Sequence, residues 1–179
     1  MDLNLKTNRL LLRGITEEDI DFIIKLETLS ENKQYETDGI PEIDSVIEDC
    51  NWFVERSEAL PSEGAIMYMV FNEEEERIGY VSLTCNWEKT REWEIGYVFL
   101  REHLGKGYAT EAVRKVIEFA FEELQIHKLT AFINSENKRS VALARRIGMV
   151  QEGYMREARL INGAWNDEFM FALLKTDLT

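Results

Sequence analysis

A short glycine loop between an apolar strand and a helix is the feature that most restricts the fold of this chain. The strand is predicted from Trp93 to Leu100, and the loop follows as His103-Leu104-Gly105-Lys106-Gly107-Tyr108-Ala109. From Gly107 to Leu124 the apolar side chains recur at helical spacing, at Ala112, Val113, Val116, Ile117, Ala120 and Phe121. A strand that turns directly into a helix predicts a fold with mixed α and β elements.

The same loop is a candidate phosphate-binding site. Gly105 and Gly107 allow the backbone to turn tightly and to expose consecutive N–H groups, and the following helix adds the positive end of its dipole. Lys106 and Arg101 supply positive charge within and beside the loop. A glycine loop alone is more often a plain connection, so the phosphate hypothesis needs support from elsewhere in the chain.

Two other nucleotide-binding loops fit the sequence poorly. The Walker A pattern GxxxxGK[ST] does not occur in the chain, which argues against a P-loop nucleotidase. The dinucleotide fingerprint GxGxxG has Thr110 in place of its third glycine, so a dehydrogenase-like dinucleotide binder is a weak alternative.

The rest of the chain alternates between strand and helix patterns. A first strand is predicted around residues 9–13, Thr16 caps a first helix, and a second helix runs from Ser45 to Leu60. The glutamates at 73–76 predict a solvated turn of a hairpin, and Asn162-Gly163 predicts a tight hairpin between the last two strands. The other elements are strands at Ile66–Phe71, Ile78–Leu83, Lys128–Ile133 and Trp165–Leu174 and a helix at Asn137–Ile147.

The composition narrows the classes of function. The 179 residues, 45% of them hydrophobic, can bury a core and predict one domain over residues 1–179. Acidic residues outnumber basic ones by 34 to 21, and the net charge of −13 argues against nucleic-acid binding and suits a cationic substrate. Cys50 and Cys85 lack disulfide or metal-site spacing, and no apolar run is long enough to cross a membrane. We therefore expect a cytoplasmic protein without a metal, a nucleic-acid partner or a membrane partner.

Two ordered motifs give the loop a family context. The first is Gly105-Lys106-Gly107-Tyr108-Ala109-Thr110-Glu111-Ala112, and the second is Asn137-Lys138-Arg139-Ser140 with Leu143 and then Ile147-Gly148-Met149. With Thr7-Asn8-Arg9-Leu10-Leu11-Leu12-Arg13 at one end and Asn162-Gly163 at the other, the chain resembles the GNAT superfamily of acetyltransferases along nearly its whole length. Within it, the chain most resembles the ribosomal-protein N-terminal (serine/alanine) acetyltransferases. The resemblance implies an α+β fold, with a mixed, mostly antiparallel sheet of six or seven strands, two of them splayed, flanked by helices.

The resemblance also implies that acetyl-CoA is the co-substrate and that three segments hold it. The backbone of Tyr97, Val98 and Phe99 would pair with the pantetheine amides at the splay. The pyrophosphate would lie on the glycine loop, and the second motif would contact the cofactor from the other side. The implied loop residues are Leu104, Gly105, Lys106, Gly107, Tyr108, Ala109 and Thr110, and those of the second motif are Asn137, Arg139 and Ser140.

Acetylation needs a neutral amine, so a base or a water path is expected at the site. Glu94 is the predicted base, because strand alternation places it on the same face as Gly96 and Val98. An ion pair of Glu94 with a nearby Arg or Lys is the structural alternative. The N–H of Val98, freed by the splay, is predicted to stabilise the thioester oxygen as charge develops on it.

The acid that protonates the leaving thiolate is predicted from a position at which this chain differs from the family pattern. Many members of the superfamily carry a tyrosine seven residues after the helix asparagine, where this chain has Ala144. Ser140 is the candidate replacement, although a serine and an asparagine at a helix start also act simply as caps. A second departure is Glu102, where many members have Gln or Arg, so backbone amides must carry more of the phosphate binding.

These observations predict an N-acetyltransferase that moves an acetyl group from acetyl-CoA to a primary amine, with a protein N-terminal α-amine as the preferred acceptor. A polyamine-type small amine is one alternative, and a non-catalytic acyl-CoA-binding module is another. The sequence is compatible with a monomer or a homodimer.

Overall fold

The computed structural model describes residues 3–36, 39–57, 60 and 64–178. Its strands are β1 (Leu5–Lys6), β2 (Leu11–Gly14), β3 (Ala65–Phe71), β4 (Arg77–Trp87), β5 (Glu92–Phe99), β6 (Lys128–Asn134), β7 (Val150–Ile161) and β8 (Ala164–Leu174). Within the described residues they form one sheet of eight strands in the order β1-β2-β3-β4-β5-β6-β8-β7. Neighbours pair antiparallel except β5 and β6, which are parallel.

This topology confirms the predicted α+β class with a mixed, mostly antiparallel sheet. The sheet has eight strands instead of six or seven, because the two-residue β1 folds back onto β2 through a turn closed by Thr7 N–H and the Leu10 carbonyl at 3.0 Å. Two residues are too few to show an alternating pattern in the sequence. A sheet with a single parallel pair also excludes the doubly wound dinucleotide-binding alternative.

Helices cover both faces of the sheet. They are α1 (Ile20–Thr28), α2 (Ser30–Lys33), α3 (Ile43–Ser57), α4 (Tyr108–Glu122) and α5 (Lys138–Arg146). α1 and α3 pack with Met67 and Met69 of β3, whereas Ile66 and Tyr68, which point the other way, join the larger core under α4 and α5. The sheet therefore separates an α1–α3 face from an α4–α5 face.

The N-terminal elements follow the prediction with shifted bounds. Thr16 forms a capping box with Asp19 over a short 3-10 helix that runs into α1. The helix predicted at Ser45–Leu60 is α3, which begins at Ile43 and ends at Ser57, while residues 58 and 59 lie outside the described residues. Val46 of α3 packs inward, but Trp52 is 39% exposed and contacts the ring of Phe53 edge-on.

Both predicted hairpins are present. β3 and β4 pair across the exposed glutamates at 73–76, and the side chain of Asn72 accepts hydrogen bonds from the N–H groups of Glu74 and Glu76. At the other hairpin, between β7 and β8, Asn162 and Gly163 both adopt positive φ, at 50° and 77°.

The parallel pair positions the candidate site. β5 and β6 pair at three positions, which end at Glu94 and Thr130, and beyond that point the two strands have no register partners in each other. β5 continues to pair with β4 as far as Phe99, and β6 with β8 as far as Asn134. The sheet is therefore open between residues 95–99 and 131–134, which is the predicted splay.

Candidate active site

The splay opens into a cavity of about 1060 Å³. Residues 95–99 of β5 and 131–134 of β6 line its middle, and residues 137–140 line it near the start of α5. Its other end is lined by side chains of α1 and α3, including Ile23 and Asp49. Because the cavity reaches both helix layers, a molecule bound on one face of the sheet can meet a molecule bound on the other.

The glycine loop lies at the α4–α5 end of this cavity. Gly105 and Gly107 have φ angles of 77° and 84°, and Gly107 is the left-handed residue that immediately precedes α4. No side chain caps this helix, so its first N–H groups are available to a ligand. Leu104 and Ala109 line the cavity, Gly105 and Lys106 are exposed, and Tyr108 and Thr110 are half-buried.

Arg9 and Glu111 hold the loop from the N-terminal side. Arg9 Nη1 donates to the Lys106 carbonyl at 3.0 Å, and the guanidinium lies 4.7 Å from the centre of the Tyr108 ring. Glu111 accepts from Arg9 and from the Thr7 hydroxyl at 2.6 Å. Partial burial alone would raise the pKa of Glu111, but these hydrogen bonds outweigh it and hold the pKa below its usual range. The ionised pair fixes the loop backbone.

The direction of the backbone hydrogen bonds along β5 corrects the predicted role of the Val98 N–H. Leu100 N–H donates to the Ile78 carbonyl of β4 at 2.9 Å. Because backbone groups alternate sides along a strand, the Val98 N–H also points toward β4, where Tyr80 is its register partner. The groups that face the splay are those of Tyr97 and Phe99, so these replace Val98 as the freed donors. The side chain of Val98 still lines the cavity.

The start of α5 brings the second motif to the cavity. Asn137 is the N-cap, and its side-chain oxygen accepts from the Ser140 N–H at 3.1 Å. Tyr97 donates its hydroxyl to the Ser140 carbonyl at 3.5 Å, and burial raises the pKa of Tyr97. The Ser140 side chain lies within hydrogen-bonding range of the same Tyr97 hydroxyl, and Ser140 lines the cavity. Arg139 is exposed at the cavity rim.

The two departures from the family pattern have simple structural outcomes. Glu102 is exposed in a short 3-10 helix before the loop, so its charge can be solvated. Ala144 is buried in the core between α4 and α5, where it leaves no acid at that position.

Glu94 is placed less favourably than the sequence predicts. It is half-buried at the last paired position before the splay, and its Oε2 accepts from Asn86 Nδ2 at 3.0 Å. Glu94 is not among the residues that line the cavity. The predicted ion pair with Arg or Lys is also not its contact, since its partner is a neutral amide.

Carboxylates at the α1–α3 end of the cavity were not found from the sequence. Tyr80 donates to Glu27 Oε1 at 2.7 Å, and Lys33, 8% exposed, donates to both Glu27 and Glu36. Burial, followed by the nearby charge of Glu27, raises the pKa of Tyr80 well above its usual range. Burial and then the carboxylates of Glu27 and Glu48 raise the pKa of Asp49. Helical periodicity identifies the buried side of α1, but not the strand against which it packs.

Asn134 and Glu168 also line the cavity and were not identified from the sequence. They are register partners on β6 and β8, and they are 4% and 6% exposed. Arg159 of β7 donates its Nε to Glu168 Oε1. The amide nitrogen of Asn134 is buried without a hydrogen-bond partner. Because β6 and β8 are separated by α5 and β7 in the chain, their register was not predictable from local patterns.

The described residues contain no cluster of three or more His, Cys, Asp or Glu side chains that could hold a metal ion. Among the helices in the described ranges, none is long and apolar enough to cross a membrane.

Comparison with known proteins gives consistent matches. Residues 9–150 match the model of the acetyltransferase (GNAT) domain family. The chain is 30% identical to the uncharacterized N-acetyltransferase p20 of Bacillus licheniformis, over 97% of each protein. It is 35% identical to the [ribosomal protein uS5]-alanine N-acetyltransferase of Escherichia coli over 48% of this chain and 44% of that protein. The crystal structure of spermidine N-acetyltransferase from Vibrio cholerae, in complex with CoA and spermine, matches with a TM-score of 0.85 and 25% identity over 96% of this chain and 99% of that chain.

Proposed function

The chain belongs to the GNAT family and is an acetyl-CoA-dependent N-acetyltransferase, and from that premise we propose that it acetylates the α-amine of a protein N-terminus. The observation that carries the proposal is the cavity through the splay. It joins the uncapped start of α4, which suits a pyrophosphate, to a carboxylate-lined end, which suits a cationic amine.

The residues present fit acetyl-CoA on structural grounds. The left-handed Gly107 and the uncapped helix start offer backbone N–H groups to phosphate, and Lys106 and Arg9 add positive charge beside them. The freed backbone groups of Tyr97 and Phe99 suit the amides of the pantetheine arm, which would follow the open edge of β5. Asn137, Arg139 and Ser140 complete the site from α5. Acetyl-CoA supplies the activated thioester.

The chemistry that the chain contributes is electrostatic stabilisation and proton transfer. An N–H of Tyr97 or Phe99 at a fixed position stabilises the developing negative charge on the thioester oxygen. Ser140, which lines the cavity beside the Tyr97 hydroxyl, donates a proton to the departing sulfur. Glu94 acts as a base only through water, because its side chain is bonded to Asn86 outside the cavity lining.

Two amine classes fit the carboxylate-lined end. The similarity to the E. coli ribosomal-protein acetyltransferase supports an N-terminal α-amine, and the match to the V. cholerae spermidine N-acetyltransferase supports a polyamine. Both acceptors are cations, so the net charge of −13 favours both. The non-catalytic module is not retained, because the chain belongs to a family of transferases.

Residues 1–179 are proposed to form a single domain, because one sheet joins β1 near the start to β8 near the end of the described chain. The Cys50 thiol is free, which suits a reducing cytoplasmic compartment. Each chain carries a complete cavity, so the proposal holds for a monomer or a homodimer.

An acetylation panel tests the acceptor. The protein is mixed with acetyl-CoA and with peptides that begin with Ser, Ala or Met, with spermidine, or with free lysine, and thiol release is followed. We expect the highest kcat/KM for one of the peptides. A kcat/KM for spermidine that exceeds all three peptide values would replace the N-terminal acceptor with the polyamine.

A further inference from the structure

The buried amide of Asn134 is an unused donor in the cavity. Its Oδ1 accepts from the Glu136 N–H at 2.9 Å, which fixes the orientation of the amide, because the opposite orientation would place two donors against each other. The Nδ2 group is left buried and without a partner. Burial of an unpaired donor is unfavourable, because the donor has lost its hydrogen bonds to water. A bound molecule with an acceptor atom at this position would offset that loss.

A carboxylate lies directly across from this donor. Glu168 is the register partner of Asn134, and directly opposed residues have Cβ atoms about 4.5–5.5 Å apart on the same face of a sheet. The hydrogen bond that Arg159 donates to Glu168 goes to Oε1. The buried pair therefore offers one amide donor and one carboxylate oxygen side by side.

We infer that Asn134 and Glu168 form an acceptor subsite for an amine that carries a carbonyl on the adjacent carbon, which is the chemistry of a peptide N-terminus. Glu168 binds the ammonium, and Asn134 Nδ2 donates to the first carbonyl oxygen. This inference rests on the proposed transfer to an amine.

The Asn134 Nδ2 donor distinguishes a peptide N-terminus from a polyamine as the acceptor. A protonated polyamine has only N–H donors, so it can use Glu168 but leaves Asn134 Nδ2 unpaired. A peptide N-terminus pairs both groups. Sites with a buried polar group discriminate strongly against a molecule that cannot pair it, so Asn134 would favour the peptide.

The face of the sheet on which Asn134 and Glu168 lie also suits the binding of an amine. Thr130 and Asn134 lie on one side of β6, whereas Leu129 and Ile133 point into the core under α4 and α5. Asn134 and Glu168 are therefore on the face opposite the glycine loop and its helix. An amine bound there approaches the splay from the side away from the pyrophosphate site.

Three substitutions test the subsite with steady-state kinetics on an alanyl peptide and on spermidine. Asn134→Asp preserves the shape and the acceptor for the Glu136 N–H but removes the donor, and Asn134→Leu removes both. We expect each to lower kcat/KM for the peptide by about tenfold or more, with spermidine kcat/KM not lowered by more than twofold. Glu168→Gln should raise KM for both amines, while KM for acetyl-CoA should stay within twofold of the value for the unsubstituted protein.

Asn166→Leu is the matched control. Asn166 lies two residues before Glu168 on the same strand, but its amide donates to the Ala164 carbonyl at 2.9 Å and it does not line the cavity. This variant should leave both amine substrates unchanged. Melting temperatures of all variants identify any that fail to fold.

Calorimetric binding of the alanyl peptide to the CoA-saturated protein separates the subsite from the reaction. We expect about tenfold weaker binding for Asn134→Asp and for Glu168→Gln. If the unsubstituted protein acetylates amines but these variants bind and turn over the peptide normally, the subsite is refuted and the transferase stands. If Asn134→Asp raises KM for acetyl-CoA instead, the amide serves the cofactor and the inference is wrong. If no amine is acetylated while the variants lose peptide binding, the subsite stands and the acetyl transfer fails.

Discussion

The guanidinium of Arg9 donates two hydrogen bonds to the same carboxylate oxygen of Glu111, from Nε at 2.8 Å and from Nη2 at 2.6 Å. A third bond reaches the Lys106 carbonyl, inside the glycine loop, at 3.0 Å. The N-terminal segment thus fixes the loop that is proposed to bind the pyrophosphate.

Arg9→Ala should therefore weaken CoA binding. The loop would lose the bond to Lys106 and the charge beside it, and we expect Kd for CoA to rise about tenfold by calorimetry. Arg9→Lys should recover only part of this, because a lysine cannot make the forked contact. Arg114→Ala is the control, since Arg114 is exposed and donates to the Arg146 carbonyl at the end of α5. An unchanged Kd in Arg9→Ala would contradict the role of Arg9.

Gly105 and Gly163 form a matched pair for testing the loop. Both have a φ of 77°, and an added Cβ would meet nothing within 4 Å at either position. Alanine at each should cost about 1–2 kcal/mol of unfolding free energy from the left-handed backbone alone. Only Gly105→Ala should also weaken CoA binding. Equal CoA affinity in the two variants would show that the loop conformation does not serve the cofactor.

Ser140→Ala tests the proposed acid. Loss of the hydroxyl should lower kcat by about tenfold to hundredfold. Kd for CoA should stay within twofold, because the Ser140 backbone N–H still donates to the Asn137 side chain. Tyr97→Phe is the comparison, since the Tyr97 hydroxyl lies 3.5 Å from the Ser140 carbonyl. Full turnover in Ser140→Ala with a loss in Tyr97→Phe would move the acid to Tyr97.

Asp19 predicts a pH-dependent contribution to stability. Its side chain is fully buried and accepts from Arg13, from the Thr16 N–H and from Arg77. Burial alone would raise the pKa of Asp19, but these partners outweigh it and hold the folded pKa below the unfolded value. The ionised carboxylate therefore stabilises the fold at pH values above the unfolded pKa, and this contribution is lost as the pH falls through the folded pKa.

Asp19→Asn should accordingly cost about 3 kcal/mol of unfolding free energy at neutral pH, because it leaves two arginines without their counter-charge. The difference from the unsubstituted protein should be constant down to about pH 5 and shrink below about pH 4. Urea unfolding across this range measures it. A difference that does not depend on pH would argue against the ionised carboxylate.

Local patterns predicted much of the fold. The glycine loop and α4 follow from helical spacing and left-handed glycines, and the last hairpin follows from Asn162-Gly163. Asn137 was placed at the start of α5 from its motif. In each case the information lies within a few residues of the element that it specifies.

Long-range geometry was not accessible in the same way. The hydrogen bonds between Arg9 and Glu111 join residues 102 positions apart. The pairing of Asn134 with Glu168 depends on the register between β6 and β8, two strands that α5 and β7 separate in the chain. The direction of the Val98 N–H depends on which backbone N–H groups of β5 donate to β4. The alternation of side chains along a strand does not reveal which ones do.

Acetylation of a single defined amine tests the central claim most directly. An alanyl peptide with one internal lysine and its Nα-blocked twin are each incubated with acetyl-CoA and the protein, and thiol release and the acetylation site are measured together. We predict one thiol released per acetyl group, with the acetyl on the α-amine and no turnover of the blocked peptide. Binding of CoA without thiol release, for these peptides and for spermidine and free lysine, would contradict the assignment of acetyl transfer to this cavity.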